Sequence, residues 1–285
     1  MYTRVLAAVN EFSNAEIAAR YAVAFAQACH ASLSLLHVYQ AGSPVETFNR
    51  AEAALRRLFL YAESRGVDVE ILTERGDPLK KIGEVVNREK IDIVFTSSRR
   101  DDASRRYFAK TLSRQLLLKL PCAVAMVRIV HAGRIAPKRI LVPLRGKITH
   151  ADERVFFVSR LAGAFGSSVT LFHSAGSVSR FFHGELHLTP LQREGRIPAD
   201  IESFVRQLGR YGIRHEKRTG HGRVSRSIAV EAMIRRNDLI IMGASERGLL
   251  KSMLFGNPVE DVLCETPCNL IIFKAGRLKT VMSNG

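Results

Sequence analysis

The chain has 285 residues, 46% of them apolar, and a formal net charge of +16 at pH 7. That length suits two domains of ordinary size, each able to bury a core; no apolar run approaches the ~20 residues needed to span a bilayer, and a strand opens the sequence in place of a charged-then-apolar leader, so a soluble, cytoplasmic protein is expected. Residues 1–128 carry 19 basic and 14 acidic side chains and residues 138–285 carry 23 and 13, so the later part is the more electropositive and suited to attract nucleotides, nucleic acid, acidic lipid or an acidic protein.

In chain order, β-branched runs predict strands at Arg4 to Val9, Ser32 to Val38, Val67 to Thr73, Ile91 to Thr96 and Cys122 to Arg128. Helices fill the gaps. Ser13-Asn14-Ala15-Glu16 has capping-box order and predicts a helix running to about Cys29; Ala51, Leu55, Leu58 and Ala62 form one apolar helical face; Asp77-Pro78 offers a cap followed by proline at the first helical position. A short linker, 131–137, precedes a second series. Strands are predicted at Arg139 to Leu144, Ser168 to His173, Ile213 to Arg218, Leu239 to Met242 and Asn269 to Lys274, with helices near Asp152 to Phe165, Asp200 to Tyr211 and Ser225 to Arg235. The stretch 174–199 reads as a long loop or lid, and 278–285 as a loose tail.

The second series repeats the first. Residues 76–128 fall on 222–274 without a gap at an offset of 146: Gly76 on Gly222, Ile82 on Ile228, Asp92 on Asp238, Pro121-Cys122 on Pro267-Cys268. Earlier, Arg4 meets Arg139 and His37 meets His173, so the second copy carries about ten extra residues after His173. An internal repeat of alternating strands and helices implies α/β architecture: two tandem open parallel five-stranded sheets with helices on both faces, in domains 1–130 and 138–276. The four cysteines, Cys29, Cys122, Cys264 and Cys268, sit in apolar segments and read as reduced core thiols.

In such sheets ligands bind at the carboxyl ends of strands, where strand order reverses. In the second copy these ends are Pro143-Leu144-Arg145, His173-Ser174, Thr219 to Gly222 and Met242-Gly243-Ala244-Ser245. Downstream, Gly256-Asn257-Pro258-Val259-Glu260 carries three helix-start signals. Its free amides would suit a phosphate, or Asn257 would simply cap the helix.

The run Ile240 to Ser245, then Leu254 to Leu263, then Thr266-Pro267-Cys268 and a closing strand, resembles the C-terminal signature of universal stress protein (UspA-like) domains. Arg4 to Val9 and Arg139 to Leu144 resemble that family's opening strand, and Leu35 to Val38 its second. The likeness extends over nearly the whole chain in two copies. It implies an adenine nucleotide α-hydrolase-like (Rossmann-like) fold and dimer-like pairing of the two copies through their final strands, Ala123 to Val127 and Leu270 to Phe273, with a homodimer of whole chains a further expectation.

Nucleotide-binding members carry Gly, two residues, Gly, nine residues, Gly and Ser or Thr. The second copy has Gly243, Glu246, Gly256 and Asn257 at those places; the first has Ser97, Arg100 and Lys110-Thr111. Asn10 and Arg145 stand where binders place an acid after the first strand. The first site is therefore the more degenerate, and the second is the expected site for ATP or another adenine nucleotide, with candidate ligand residues Pro143, Leu144, Arg145, His173, Ser174, Met242, Gly243, Ala244, Ser245, Gly256, Asn257 and Pro258.

Other constellations are weaker. His183 to His187 lacks the helical zinc spacing, so no metal is expected, and His37 and His173 recur at equivalent strand ends as a shared structural device. No nucleophile elbow, Walker A loop or aromatic single-strand platform is present, and no catalytic residue is assigned. The expected function is a non-enzymatic stress-response regulator that binds a small anionic ligand. The competing one is a ligand-free module whose basic surface acts on protein, nucleic acid or membrane. Slow ATP hydrolysis ranks last, because no base or metal-binding carboxylate pair is identifiable.

Overall fold

The computed structural model of the chain describes residues 2–98, 111–133, 135–175, 198–244 and 258–276. The first half comprises β1 (Arg4–Val9), α1 (Ser13–Cys29), β2 (Ser32–Tyr39), α2 (Val45–Ser64), β3 (Val69–Arg75), α3 (Pro78–Arg88), β4 (Ile93–Ser98), α4 (Leu112–Lys119) and β5 (Ala123–Arg128). The second comprises β6 (Arg139–Leu144), α5 (Ala151–Phe165), β7 (Ser168–Ala175), α6 (Ala199–Arg210), β8 (His215–His221), α7 (Val224–Ile234), β9 (Leu239–Ala244), α8 (Pro258–Glu265) and β10 (Asn269–Lys274). The predicted 174–199 loop lies largely outside the described residues.

The two parallel five-stranded sets join edge to edge through their final strands, as the resemblance implies. Their strands make one ten-stranded sheet in the order β3-β2-β1-β4-β5-β10-β9-β6-β7-β8, parallel within each half and antiparallel where β5 meets β10. Ile272 stands opposite Met126 at this seam, and the pairing through the final strands is thus internal to the chain. Every residue of both seam strands is buried, the apolar runs Ala123 to Val127 and Leu270 to Phe273 together with the polar Arg128, Asn269 and Lys274 at their ends. The outer strands β3 and β8 carry charge instead, as VEILTER and HEKRTGH, and so discourage further edge pairing.

Side-chain alternation along the strands sorts the core into two layers. Ile271 and Phe273 pack with α1, α2, α5 and α6, while Leu270 and Ile272 face α3, α4, α7 and α8. The layers run across the seam, so the halves share a core in place of the separate ones expected from length. At its centre the Phe157 ring stacks on Phe273 at 4.3 Å and meets Phe25 at 5.1 Å. Tyr2 from the first half donates to the Glu153 carboxylate of the second at 2.6 Å.

Local chemistry repeats with the sequence. Asp92 accepts the Thr3 and Arg4 amides at 2.7 and 3.0 Å, and Asp238 accepts those of Lys138 and Arg139 at 2.9 and 3.1 Å. Gly66 and Gly212 both take positive φ, at 69° and 68°, in the turns before β3 and β8. These turns hold the preceding apolar residues as anchors, so both edge strands begin two residues later than their apolar patterns predict. Asp77 caps α3 through the Lys80 amide as expected. The Ser13 capping box does not form, because Asn10 Oδ1 holds the Phe12 amide at 3.1 Å and the helix is already under way at Ser13. Cys122 and Cys268 are buried, but Cys264 is exposed and departs from the core-thiol expectation, since it lies on the outer face of α8. Among the described residues no helix is long and apolar enough to cross a membrane.

Candidate functional site

In each half the chain leaves the first strand toward one side and returns to the fourth on the other, which opens a crevice beyond their carboxyl ends. In the first half this crevice is a cavity of about 460 Å3. Its walls are Asn10 after β1, His37 and Tyr39 on β2, Phe48 on α2, Thr96 and Ser97 on β4, and Thr111 and Ser113 at the start of α4. His37 is fixed through Nδ1 to the Val9 carbonyl at 3.0 Å. Tyr39 meets the Phe48 ring edge-on at 5.5 Å, and Phe48 lies 6.1 Å from the His37 ring. Opposite this aromatic wall, Thr111 Oγ1 lies 3.3 Å from Ser113 Oγ and accepts the Arg114 amide, so that the hydroxyl caps α4. Ser98 Oγ is buried with no hydrogen-bond partner among the described residues.

The second half builds the corresponding place differently. Pro143 and Leu144 end β6 and Arg145 follows it, His173 and Ser174 lie near the end of β7, and Met242, Gly243 and Ala244 end β9, so strand order brings them to one rim. His173 Nδ1 bonds the Leu144 carbonyl at 3.0 Å, repeating the His37 device. Ser245, Gly256 and Asn257 lie outside the described residues, and Pro258 opens α8.

Gly243 has a role not foreseen from the sequence. The Arg154 guanidinium from α5 packs against it so closely that an added Cβ would stand 2.4 Å from Cζ. Arg154 Nη2 donates to the Ala244 carbonyl at 3.4 Å and to Thr149 Oγ1 at 3.5 Å, while its Nε has no partner among the described residues. Burial, and then the nearby Arg145 charge, lower its affinity for a proton. Aligned through the repeated histidines, Arg154 falls on Ala18, which is buried in α1. That small-to-cationic exchange was the sequence signal for the residue. Among the described residues no cluster of three metal-ligating side chains occurs; the 183–187 segment lies outside them.

The universal stress protein family matches residues 1–128 and, a second time, residues 137–274. The chain is a tandem universal stress protein. Its fold is similar to that of a universal stress protein from Archaeoglobus fulgidus DSM 4304, with a TM-score of 0.68 at 16% identity over 96% of each chain. It is also similar to a functionally unknown protein from Pseudomonas aeruginosa PAO1, with a TM-score of 0.62 at 17% identity over 96% of this chain and 93% of that one. No curated protein matches the chain. Within this universal stress protein the described cavity lies in the half whose glycine pattern is the more degenerate, and the half with the better pattern presents a guanidinium at the same place.

Proposed function

We propose that this tandem universal stress protein is a non-enzymatic, cytoplasmic stress-response regulator that binds a small anionic ligand of the adenine-nucleotide class, with residues 1–130 and 138–276 as its two units. The first-half crevice carries the reading. Its volume of about 460 Å3 falls within the roughly 300–1,000 Å3 typical of small-molecule sites. Tyr39, Phe48 and His37 offer a flat ring a surface, and the hydroxyls of Thr96, Ser97, Thr111 and Ser113 offer a sugar or phosphate hydrogen bonds.

A second reading keeps the site in the later half, where Arg145 and Arg154 bring positive charge to the rim formed by Pro143, Leu144, His173, Ser174, Met242, Gly243 and Ala244. Calorimetric titration with ATP, ADP, AMP and cyclic dinucleotides separates the two. For the first-half site, Phe48→Ala and Ser97→Arg abolish binding while Gly243→Ala, which displaces the Arg154 guanidinium, leaves it intact. The reverse pattern assigns the ligand to the second half. Absence of heat with every nucleotide overturns both and leaves the protein an interaction module acting through its basic surface.

A further inference from the structure

Helices α3 and α7 are the same element in the two halves, related by the offset of 146, yet their outer faces differ in kind. On α3 the outward positions are charged and tied together. Lys81 pairs with Glu84 and Glu74, Arg88 with Glu74 and Glu89, and Lys80 reaches Glu84. On α7 the counterparts of Glu84, Asn87 and Arg88 are Val230, Met233 and Ile234, which are 39%, 60% and 69% exposed. Their spacing places all three on one helical face. The counterpart of Glu74 is Gly220, and the Phe172 ring lies over it at a distance that leaves no room for a Cβ. A groove results beside α7, with Phe172 and Val230 in its wall and Arg223 and Arg226 along it.

The charge pattern changes as well. The segment 223–236 holds four arginines, Arg223, Arg226, Arg235 and Arg236, and a single acid, Glu231, which pairs with Arg235. Arg226 continues the Val230 stripe one turn earlier and Arg223 a turn before that, while Arg235 and Arg236 follow Ile234. Arg223 is held by Asp261 of α8 at 3.0 Å, so the exposed apolar centre is bracketed by Arg226 on one side and by Arg235 and Arg236 on the other. Isolated apolar side chains on a surface need no explanation, but an apolar group that replaces a closed ion-pair lattice in a duplicated helix does.

Three kinds of occupant differ in what they supply. A second copy of the chain would set arginine against arginine across a twofold contact. Nucleic acid offers phosphates but no apolar phase for Val230, Met233 and Ile234. A bilayer with anionic headgroups offers both, since apolar side chains enter the acyl boundary while flanking arginines meet lipid phosphate. The net charge of +16, most of it in this half, attracts the molecule to such a surface. We propose that the outer face of α7 is a docking surface for anionic membranes, independent of the ligand crevice.

The test is co-sedimentation of the full chain with vesicles of phosphatidylcholine alone and of phosphatidylcholine with phosphatidylglycerol. The informative variant restores the first half's own residues, Val230→Glu, Met233→Asn and Ile234→Arg together, which leaves net charge unchanged. The parent is expected to sediment only with the anionic vesicles. The triple variant should lose affinity by about tenfold or more from the missing apolar contact while its retention on heparin stays that of the parent. Arg226→Gln with Arg236→Gln should weaken vesicle binding by about tenfold or more, as ~1 kcal/mol per basic residue implies. The single change Met233→Gln repeats the test in a variant whose fold is not at risk, with a smaller loss in the same direction. The proposal is overturned if the parent ignores anionic vesicles or binds neutral ones equally. It is also overturned if the triple variant binds vesicles like the parent, or if its heparin retention falls in step with vesicle binding, which would mark a polyanion site.

Discussion

Replacing Phe157 by alanine tests whether the two halves stand or fall together. The ring is fully buried; it lies 4.3 Å from Phe273, 5.1 Å from Phe25 and 6.1 Å from Phe95, so two of its three aromatic partners belong to the other half. Truncating such a side chain removes its transfer free energy and leaves a cavity, together costing about 3–5 kcal/mol. With about 2.1 cal/mol/K of unfolding entropy per residue, a chain of this length should melt roughly 5–8 °C lower. Urea unfolding followed by circular dichroism, with hydrogen exchange read on peptides from β1 and β7, reports each half. The expected result is one transition, displaced equally in both. Two transitions, with β1 unmoved and β7 shifted, would refute the idea of a shared core.

Asp92→Ala removes the acceptor for both the Thr3 and Arg4 amides and for the Thr3 hydroxyl; at about 1.5–3 kcal/mol net for a hydrogen bond to a charged group, it should lower stability, read from the urea midpoint, by at least one such bond, and Asp238→Ala, which takes the acceptor from the Lys138 and Arg139 amides, should do the same in the second half. The Arg57 hydrogen bond, and secondarily its charge, hold the Glu16 carboxyl below its ordinary range despite partial burial. A carboxyl depressed in the folded state contributes stability above its unfolded pKa and loses it as pH falls through the folded value, so Arg57→Ala should lower stability at neutral pH and leave a shallower loss on acidification, seen as urea midpoints against pH. Burial pushes the Cys122 thiol up to about 12 and the Cys29 thiol to about 11. With Cys264 exposed, a thiol reagent at neutral pH should label that residue first, and Cys264→Ala should remove the fast phase.

Strands β1, β6 and β10 begin and end as predicted, each a continuous apolar run entered through one polar residue, Arg4, Arg139 or Asn269. The edge strands β3 and β8 are less legible: Val67 and Ile213 belong to the turns that precede them, and the strands themselves carry charge that reads as surface. The resemblance to universal stress protein domains implied the final-strand pairing, and the repeat supplied the two equivalent apolar runs that make it. The crevice was partly hidden for a different reason. Tyr39 and Phe48 lie on separate elements, and only the turn from β2 into α2 brings their rings together. Arg154 is not legible at any strand end, because it is a helix side chain that reaches across to a glycine; its mark in the sequence is the exchange of Ala18 for Arg154 between the copies.

The reversal of direction at the β5–β10 seam sends the five strand tips of one half to the opposite rim from those of the other. The Phe48 crevice and the Arg154 corner therefore open at opposite rims of the one sheet. Between them the buried Phe157 ring of the second half meets Phe25 of the first at 5.1 Å, which makes that contact a place where a conversation between the duplicated halves can be interrupted.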